Sequence, residues 1–358
     1  MLVVRSPMRI SFAGGGTDLP AYYERYGGMV VSTTINKCMY VIVTLNGQET
    51  VEITSSDYHA FYSHRPGERV EWDGDLALPK AMMHQFGIDH GLHIFVASEV
   101  PPGTGLGSSS AVAVGLAKAM AALSGLTLPR DQIAEIACHV ELEKLGAPIG
   151  RQDQYAAAFG GFNCFRFERD GVTVEPLRIR PEVRAQLEQN LMLFFTGSSR
   201  NSGTILAEQT RSSRQESSAT VASLHALKEA AVEMRGCLER GDLRCFARVL
   251  HESWQQKKRL ASGISNRRID EWYDLALEAG ALGGKILGAG GGGFLMLYCE
   301  PDRQRAVREA MEAQGLKQMG LHFDETGATV LVNSLPRSWR LGHPDLGFLK
   351  EQHVRTVA

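Results

Sequence analysis

The sequence has no surplus of either charge: 38 Lys and Arg stand against 40 Asp and Glu, a formal net charge of −2. That balance excludes the basic footprint by which a chain holds nucleic acid or an acidic membrane surface. Long apolar runs are missing too. The best membrane candidate, residues 111–126, is too short to span a bilayer and carries Lys118. The stretch from Met1 to Pro7 has no apolar core of signal-peptide length. Six cysteines (Cys38, Cys138, Cys164, Cys237, Cys245 and Cys299) form no Cys-x-x-Cys pair. Their scatter predicts buried thiols in a reducing compartment, not a zinc site or a disulfide framework. A cytoplasmic protein is the expectation. Walker A spacing, internal repeats and low-complexity tracts are all absent.

What remains is ordinary for a globular chain, with 44% apolar and 22% charged residues. Its 358 residues exceed the usual span of one core, which predicts two α+β lobes with a cleft between them. The first hundred residues are rich in β-branched runs, 29–36 and 39–45, followed by the hairpin signal Asn46-Gly47. Helices are predicted near 108–124, 130–145, 215–240 and 242–262. Strands are predicted near 191–196, 294–299 and 328–333. Residues 208–219 are polar and serine-rich, and read as a mobile segment or an exposed helix start.

The most specific stretch is Pro101 to Gly115. Gly103, Gly105 and Gly107 alternate around Thr104 and Leu106, and Ser108, Ser109 and Ser110 then open an apolar helix. Alternate residues without side chains let backbone N–H groups turn toward an anion. The unpaired N–H groups and dipole of the following helix add to that attraction. Serine hydroxyls at the lip can reach a magnesium ion on the phosphates. The stretch therefore points to a nucleoside triphosphate, against the plainer reading of a serine-capped glycine turn. A second glycine run, Gly288 to Gly293, matches the dinucleotide spacing, but an apolar strand pattern follows it where that fingerprint needs a helix.

Two carboxylates stand out in the middle of the chain. Glu141 continues the apolar face set by Ile133, Ile136 and Val140, so it needs a partner, a proton or a cation. Asp153 lies twelve residues on, where a loop enters a short helix. One carboxylate for magnesium and one to orient a hydroxyl is the need of phosphoryl transfer. A salt-bridged Glu141 and a helix-capping Asp153 are the alternatives. Near the N-terminus, Arg9 precedes Gly14, Gly15 and Gly16, with Thr17 and Asp18 beyond. Asp18 reads as an acceptor for sugar hydroxyls or as the N-cap of the next helix.

These pieces, in this order, resemble the GHMP kinase superfamily of galactokinase, homoserine kinase, mevalonate kinase and phosphomevalonate kinase. Three motifs carry the likeness: Ser6 to Asp18, Pro101 to Ala111, and Lys285 to Phe294. The resemblance implies an ATP-binding lobe of ribosomal-protein-S5-like fold over 1–185 and a ferredoxin-like lobe over 186–358. ATP and Mg2+ are the implied cofactors, with the phosphates on the 103–110 loop and Ser109 and Glu141 as metal ligands. Asp153 is implied as catalytic base or orienting carboxylate, with Arg9 as the cation beside it. Gly290 and Gly291 would shape the substrate side. Galactokinases carry Glu-His where this chain has Gly15-Gly16, which argues against galactose. The run Arg9 to Pro20 is instead similar to the heptose 7-phosphate kinase branch, with fucokinase-type enzymes near it. That branch implies phosphorylation of the anomeric C1 hydroxyl of a small-molecule sugar phosphate, feeding nucleotide-activated heptose. The distal phosphate would call for arginine forks, with Arg151 and Arg200 as candidates and Gln152 beside them. Trp72 and Tyr58 are guesses for the adenine. A sugar and nucleotide sensor without turnover is the rival from another class, and homo-oligomer formation is left open.

Overall fold

The computed structural model describes residues 1–358 except 48, 90, 199–201, 215–218, 336–341, 352 and 357–358, so Arg200 lies outside the described residues. The chain opens with β1 (Leu2–Ala13), α1 (Pro20–Tyr26) and β2 (Gly28–Leu45). The two β-branched runs of the sequence are thus one 18-residue strand. The break between them is a bulge: β1 pairs Pro7 with Cys38 but Met8 with Ile35. A proline without an N–H is tolerated at such a register shift.

β3 (Val51–Ser55), β4 (Ala60–His64), α2 (Ala77–Gln85) and β5 (Leu92–Ser98) follow. Asn46-Gly47 does not close a hairpin. β5 lies between β2 and β3, antiparallel to the first and parallel to the second. A two-residue turn signal is local, whereas strand order is set by which apolar faces can be buried together.

Next come α3 (Ser108–Leu123), α4 (Arg130–Cys138) and α5 (Gln152–Phe159). α3 is alanine-rich and buried along most of its length, so it can lie close against β1 and β2. A Cβ at Gly115 would stand 3.2 Å from Val41 Cγ2 and 3.4 Å from Ser6 Cβ. α4 runs on as a π-wound turn, His139–Lys144, which carries Glu141. β6 (Phe162–Glu168), β7 (Gly171–Pro176), α6 (Pro181–Asn190) and β8 (Leu191–Phe195) complete the first half.

The second half holds α7 (Ser202–Ser213), α8 (Ala219–Arg240), α9 (Leu243–Lys257), α10 (Arg267–Ala279), β9 (Gly283–Ile286), β10 (Phe294–Tyr298) and α11 (Gln304–Ala313). The polar segment after 208 is therefore helical as far as Ser213. Short strands β11 (Lys317–Met319), β12 (Phe323–Asp324), β13 (Thr329–Asn333) and β14 (His353–Thr356) end the chain. β11, β8, β10 and β9 form an antiparallel sheet in that order. β12, β13 and β14 go back to the first sheet, pairing β2, β1 and β7. A single boundary at 185/186 therefore does not separate the two sheets, because the late strands cover edges of the first.

β10 explains how the two halves share one interior. All five of its residues are buried. Phe294, Met296 and Tyr298 join the core of the first sheet, while Leu295 and Leu297 join a second core around Trp254, Tyr273 and Phe194. The period of two sends alternate residues to opposite faces, so a strand covered on both sides must be apolar throughout.

The cysteine expectation needs a correction. Cys38, Cys138, Cys164 and Cys299 are free and buried, but Cys237 and Cys245 are joined in a disulfide. Their eight-residue separation spans the α8–α9 turn, where an antiparallel helix pair brings the Cα atoms to 5.7 Å. Among the described residues no helix is long and apolar enough to cross a membrane.

Phe194, with no exposed surface, tests the second core. Phe194→Ala should cost about 3–5 kcal/mol and lower the melting temperature by several degrees. Phe61→Ala, at a side chain 66% exposed, should stay within about 0.5 kcal/mol of wild type. Equal melting of both variants would show that the second core does not hold the fold.

Candidate active site

The glycines of the 101–110 loop have the backbone that their spacing requires. Gly103, Gly105 and Gly107 all lie at positive φ, +73°, +84° and +75°, and Gly107 is the residue that caps α3. Leu106 is fully buried and its carbonyl accepts the Arg9 N–H at 3.0 Å, pinning the loop to β1. Thr104 Oγ1 donates to Pro101 O at 3.0 Å and braces the turn from within.

The late glycine run packs directly on this loop. A Cβ at Gly288 would come within 2.5 Å of Gly105 Cα, and one at Gly293 within 2.3 Å of Thr104 O. Gly290 is as tightly confined, by the carbonyl of Ile264. Backbone meets backbone here, which excludes a side chain at Gly105, Gly288, Gly290 and Gly293. After Gly293 the chain enters β10 and not a helix, so the dinucleotide reading is excluded.

Arg9 and Asp153 meet at the mouth of the loop. Arg9 Nε and one terminal nitrogen donate to the two carboxylate oxygens of Asp153 at 2.7 Å each, and Nη1 donates to Gly105 O at 2.7 Å. Arg9 is buried, whereas the Asp153 side chain keeps 22% exposure toward the cavity. A Cβ on Gly107 would lie 3.1 Å from Asp153 Oδ2, so the carboxylate stands beside the N-terminus of α3.

Asp18 does not cap α1, whose N-cap is Leu19. Its oxygens accept the N–H of Gly16 at 2.9 Å and of Gln152 at 3.3 Å, tying the first motif to the start of α5. Burial, helped by the Asp153 charge, raises its pKa against those backbone donors. Thr17 is a support and not a ligand: Oγ1 donates to Gly14 O and lies 3.0 Å from both the Met29 oxygen and the Met29 nitrogen.

Glu141 is buried and held by Ser109 Oγ at 2.8 Å and Gln154 Nε2 at 2.6 Å. Burial pushes its carboxyl up to about 7, opposed by hydrogen bonds from Ser110, Ser109 and Gln154. Among the described residues no lysine or arginine pairs with it. Arg151 is not brought to the cavity. Its guanidinium donates to both oxygens of buried Glu135 at 2.5 Å and lies near the Tyr155 ring, so the expected fork for a distal phosphate is spent inside the protein.

A cavity of about 550 Å³ unites Arg9, Gly15, Gly16, Asp18, Gly103, Gly105, Gly107 to Ser110, Asp153 and Gly290. A smaller one, about 270 Å³, adjoins it through Tyr58, Pro102, Ser108 and Ser109 and is walled by Leu76, Val96 and Val112. Trp72 does not line it and packs on His84 instead. A larger cavity, about 890 Å³ around Phe159 and Arg184, shares no residue with the first.

Sequence reading missed Ser11, Lys257 and Lys285 as cavity-lining groups. Lys257 had the same signal as Glu141: it extends the buried stripe of Phe246, Leu250, Ser253 and Trp254 on α9. Lys285 Nζ donates to Ser11 O at 2.9 Å and Phe12 O at 3.4 Å, a tie between β9 and β1 that no local pattern reveals.

Known proteins carry the same organisation. The GHMP kinases N terminal domain matches residues 76–161, and the GHMP kinases C terminal domain matches 234–317. A D-glycero-alpha-D-manno-heptose 7-phosphate kinase of Campylobacter jejuni is 33% identical over 347 residues, 94% of this chain and 98% of the relative. An L-fucokinase/L-fucose-1-P guanylyltransferase of Bacteroides fragilis is 29% identical over 85% of this chain, which spans 35% of that longer protein. The solved D-glycero-D-manno-heptose 1-phosphate kinase of Bacteroides thetaiotaomicron superposes with a TM-score of 0.77 at 29% identity, over 94% of this chain and all of the other. With the motifs, the fold and a full-length relative in agreement, this chain belongs to the GHMP kinase family, as an ATP-dependent kinase of sugar phosphates.

Proposed function

We propose that the enzyme transfers the γ-phosphoryl group of ATP to the anomeric C1 hydroxyl of D-glycero-D-manno-heptose 7-phosphate, giving the 1,7-bisphosphate. The observation that carries the acceptor is the polar space over Gly15. Ser11 Oγ and Gln152 Oε1 are buried with no partner. The position that a Cβ on Gly15 would take is 3.6 Å from Ser11 Oγ and 3.6 Å from Gln152 Nε2. Unpaired polar groups at a cavity wall call for ligand hydroxyls. The absent side chain of Gly15 leaves room for a larger sugar than galactose, whereas the space over Gly16 is taken by Gln209, whose Nε2 is 2.6 Å from where a Cβ would stand.

In this reading the 103–110 backbone and the N-terminus of α3 hold the β- and γ-phosphates. Asp153, immobilised by the Arg9 fork, takes the hydrogen bond from the sugar hydroxyl and aims its oxygen at the γ-phosphorus. The O–P bond forms as the bond to the bridging oxygen breaks, ADP leaves, and the hydroxyl proton passes to Asp153. Arg9 then offsets charge that accumulates on the phosphoryl oxygens. The donor set of Ser109 and Glu141 fits Mg2+: a hydroxyl beside a buried carboxylate without a cationic partner. When bound there the ion neutralises phosphate charge. The apolar side cavity at Tyr58, Leu76 and Val112 suits the adenine.

Asp153→Asn should lower kcat by a hundredfold or more and leave the Kd for an ATP analogue within a few-fold. Near-normal turnover would make Asp153 a structural residue. The Glu141 carboxyl, raised to about 7, must lose its proton to hold a cation. The Mg2+ concentration at half-maximal rate should therefore rise about tenfold per unit as pH falls below 7 and level off above it. Glu141→Gln should flatten that dependence, and a wild-type curve flat from pH 6 to 8 would remove Glu141 from the metal site.

The acceptor is decided by an ADP-release assay over a panel of heptose 7-phosphate, free heptose, L-fucose, galactose, mevalonate and homoserine. The expected order puts heptose 7-phosphate first by a hundredfold or more in kcat/KM, the scale of a charge-assisted phosphate contact. Equal turnover of free L-fucose would overturn the acceptor and leave the kinase standing.

A further inference from the structure

Two ammonium groups are buried in the cavity wall, and they are not equivalent. Lys285 commits two of its three donors to carbonyls of β1 and so acts as a tie. Lys257, the last residue of α9, is 7% exposed and lines the cavity. Its Nζ donates to Gly288 O and, among the described residues, makes no ion pair. The charges that act on it are Arg9 from β1, Asp18 from the loop after β1, Asp153 from α5, and Lys285 from β9.

We propose that Lys257 is a catalytic residue, donating hydrogen bonds to the phosphoryl group as it passes from ATP to the sugar. An ammonium has three donors, and the structure engages one of them, on Gly288 O. Gly288 itself abuts Gly105 of the phosphate loop, whose carbonyl holds Arg9. The head of Lys257 thus sits on the turn that packs against the 101–110 loop, and it lines one cavity with Arg9 and Asp153. The distal phosphate of the proposed acceptor would lie at the other end of the sugar. Cations aimed at the equatorial oxygens of a phosphoryl in flight are what this chemistry uses. Lys257 keeps its proton throughout: the hydroxyl proton goes to Asp153 and the bridging electron pair leaves with ADP.

Burial and the Arg9 charge bring the Lys257 pKa down to about 8, against the pull of Asp18 and Asp153. In the free enzyme the active form is the protonated one, so kcat/KM should fall as pH rises through about 8.

The inference rests on the proposed mechanism only for the direction of attack. Lys257→Met and Lys257→Arg are to be compared with wild type on whichever acceptors wild type turns over, phosphorylated and free. Lys257→Met should reduce kcat on the order of a hundredfold for both acceptor classes alike, with little change in ATP-analogue affinity. Lys257→Arg should regain part of the rate and move the alkaline limb of kcat/KM upward from pH 8. A loss confined to phosphorylated acceptors would overturn the proposal and assign Lys257 to the distal phosphate. So would a normal kcat in Lys257→Met, or an active Lys257→Arg whose limb stays at pH 8. A wild type inactive on heptose 7-phosphate sinks the acceptor assignment, while the Lys257 comparison still runs on the sugar that is used.

Discussion

The guanidinium of Arg9 joins three parts of the chain that are far apart in sequence, and the geometry of the candidate site depends on it. Its three hydrogen bonds, two to Asp153 and one to Gly105 O, fix the α5 carboxylate relative to the 101–110 loop from a position on β1. A lysine in its place would offer a point charge without the fork that sets the plane of the carboxylate. Because β1 is paired along most of its length with β2, the guanidinium rests on a strand held inside the first sheet. The site is therefore held by a regular element, which positions atoms more tightly than a loop does.

Close backbone contact through glycines is the second constraint. Gly105 and the Thr104 backbone of the 101–110 loop touch Gly288 and Gly293 of the late turn. The 101–110 loop is thereby walled by residues from the other half of the chain. β10 begins at the end of that turn and divides its side chains between the two cores. Packing of the second half thus carries directly to the floor of the cavity. The disposition of Lys257 follows from the same arrangement, since Gly288 O is its acceptor.

Buried charge without an ion-pair partner recurs in both halves. Glu141 and Lys257 each continue an apolar helix stripe with an ionisable group that finds no opposite charge in ion-pair contact among the described residues. Such groups are costly to desolvate, and they persist where a ligand completes them. Arg151 and Glu135 show the contrast: equally buried, they complete each other and serve the packing of α4 against α5.

Elements that depend on local chemistry are legible in the amino-acid order alone. Alternating glycines demanded positive φ, and the serines after them had to open a helix. Glu141 had to face the interior, because its neighbours Ile133, Ile136 and Val140 define a stripe with helical period. Strands β8 and β10 were legible as continuous apolar runs for a similar reason. Tertiary structure alone decided what no local period encodes. It merged two β-branched runs into β2 through a bulge, denied Asn46-Gly47 its hairpin by placing β5 beside β2, and brought the last strands back to the first sheet. It turned Asp18 from a helix cap into a clasp on α5 and withdrew Arg151 into an ion pair. Partner choice of this kind is settled by which distant surfaces exclude water together, and sequence spacing holds no record of that.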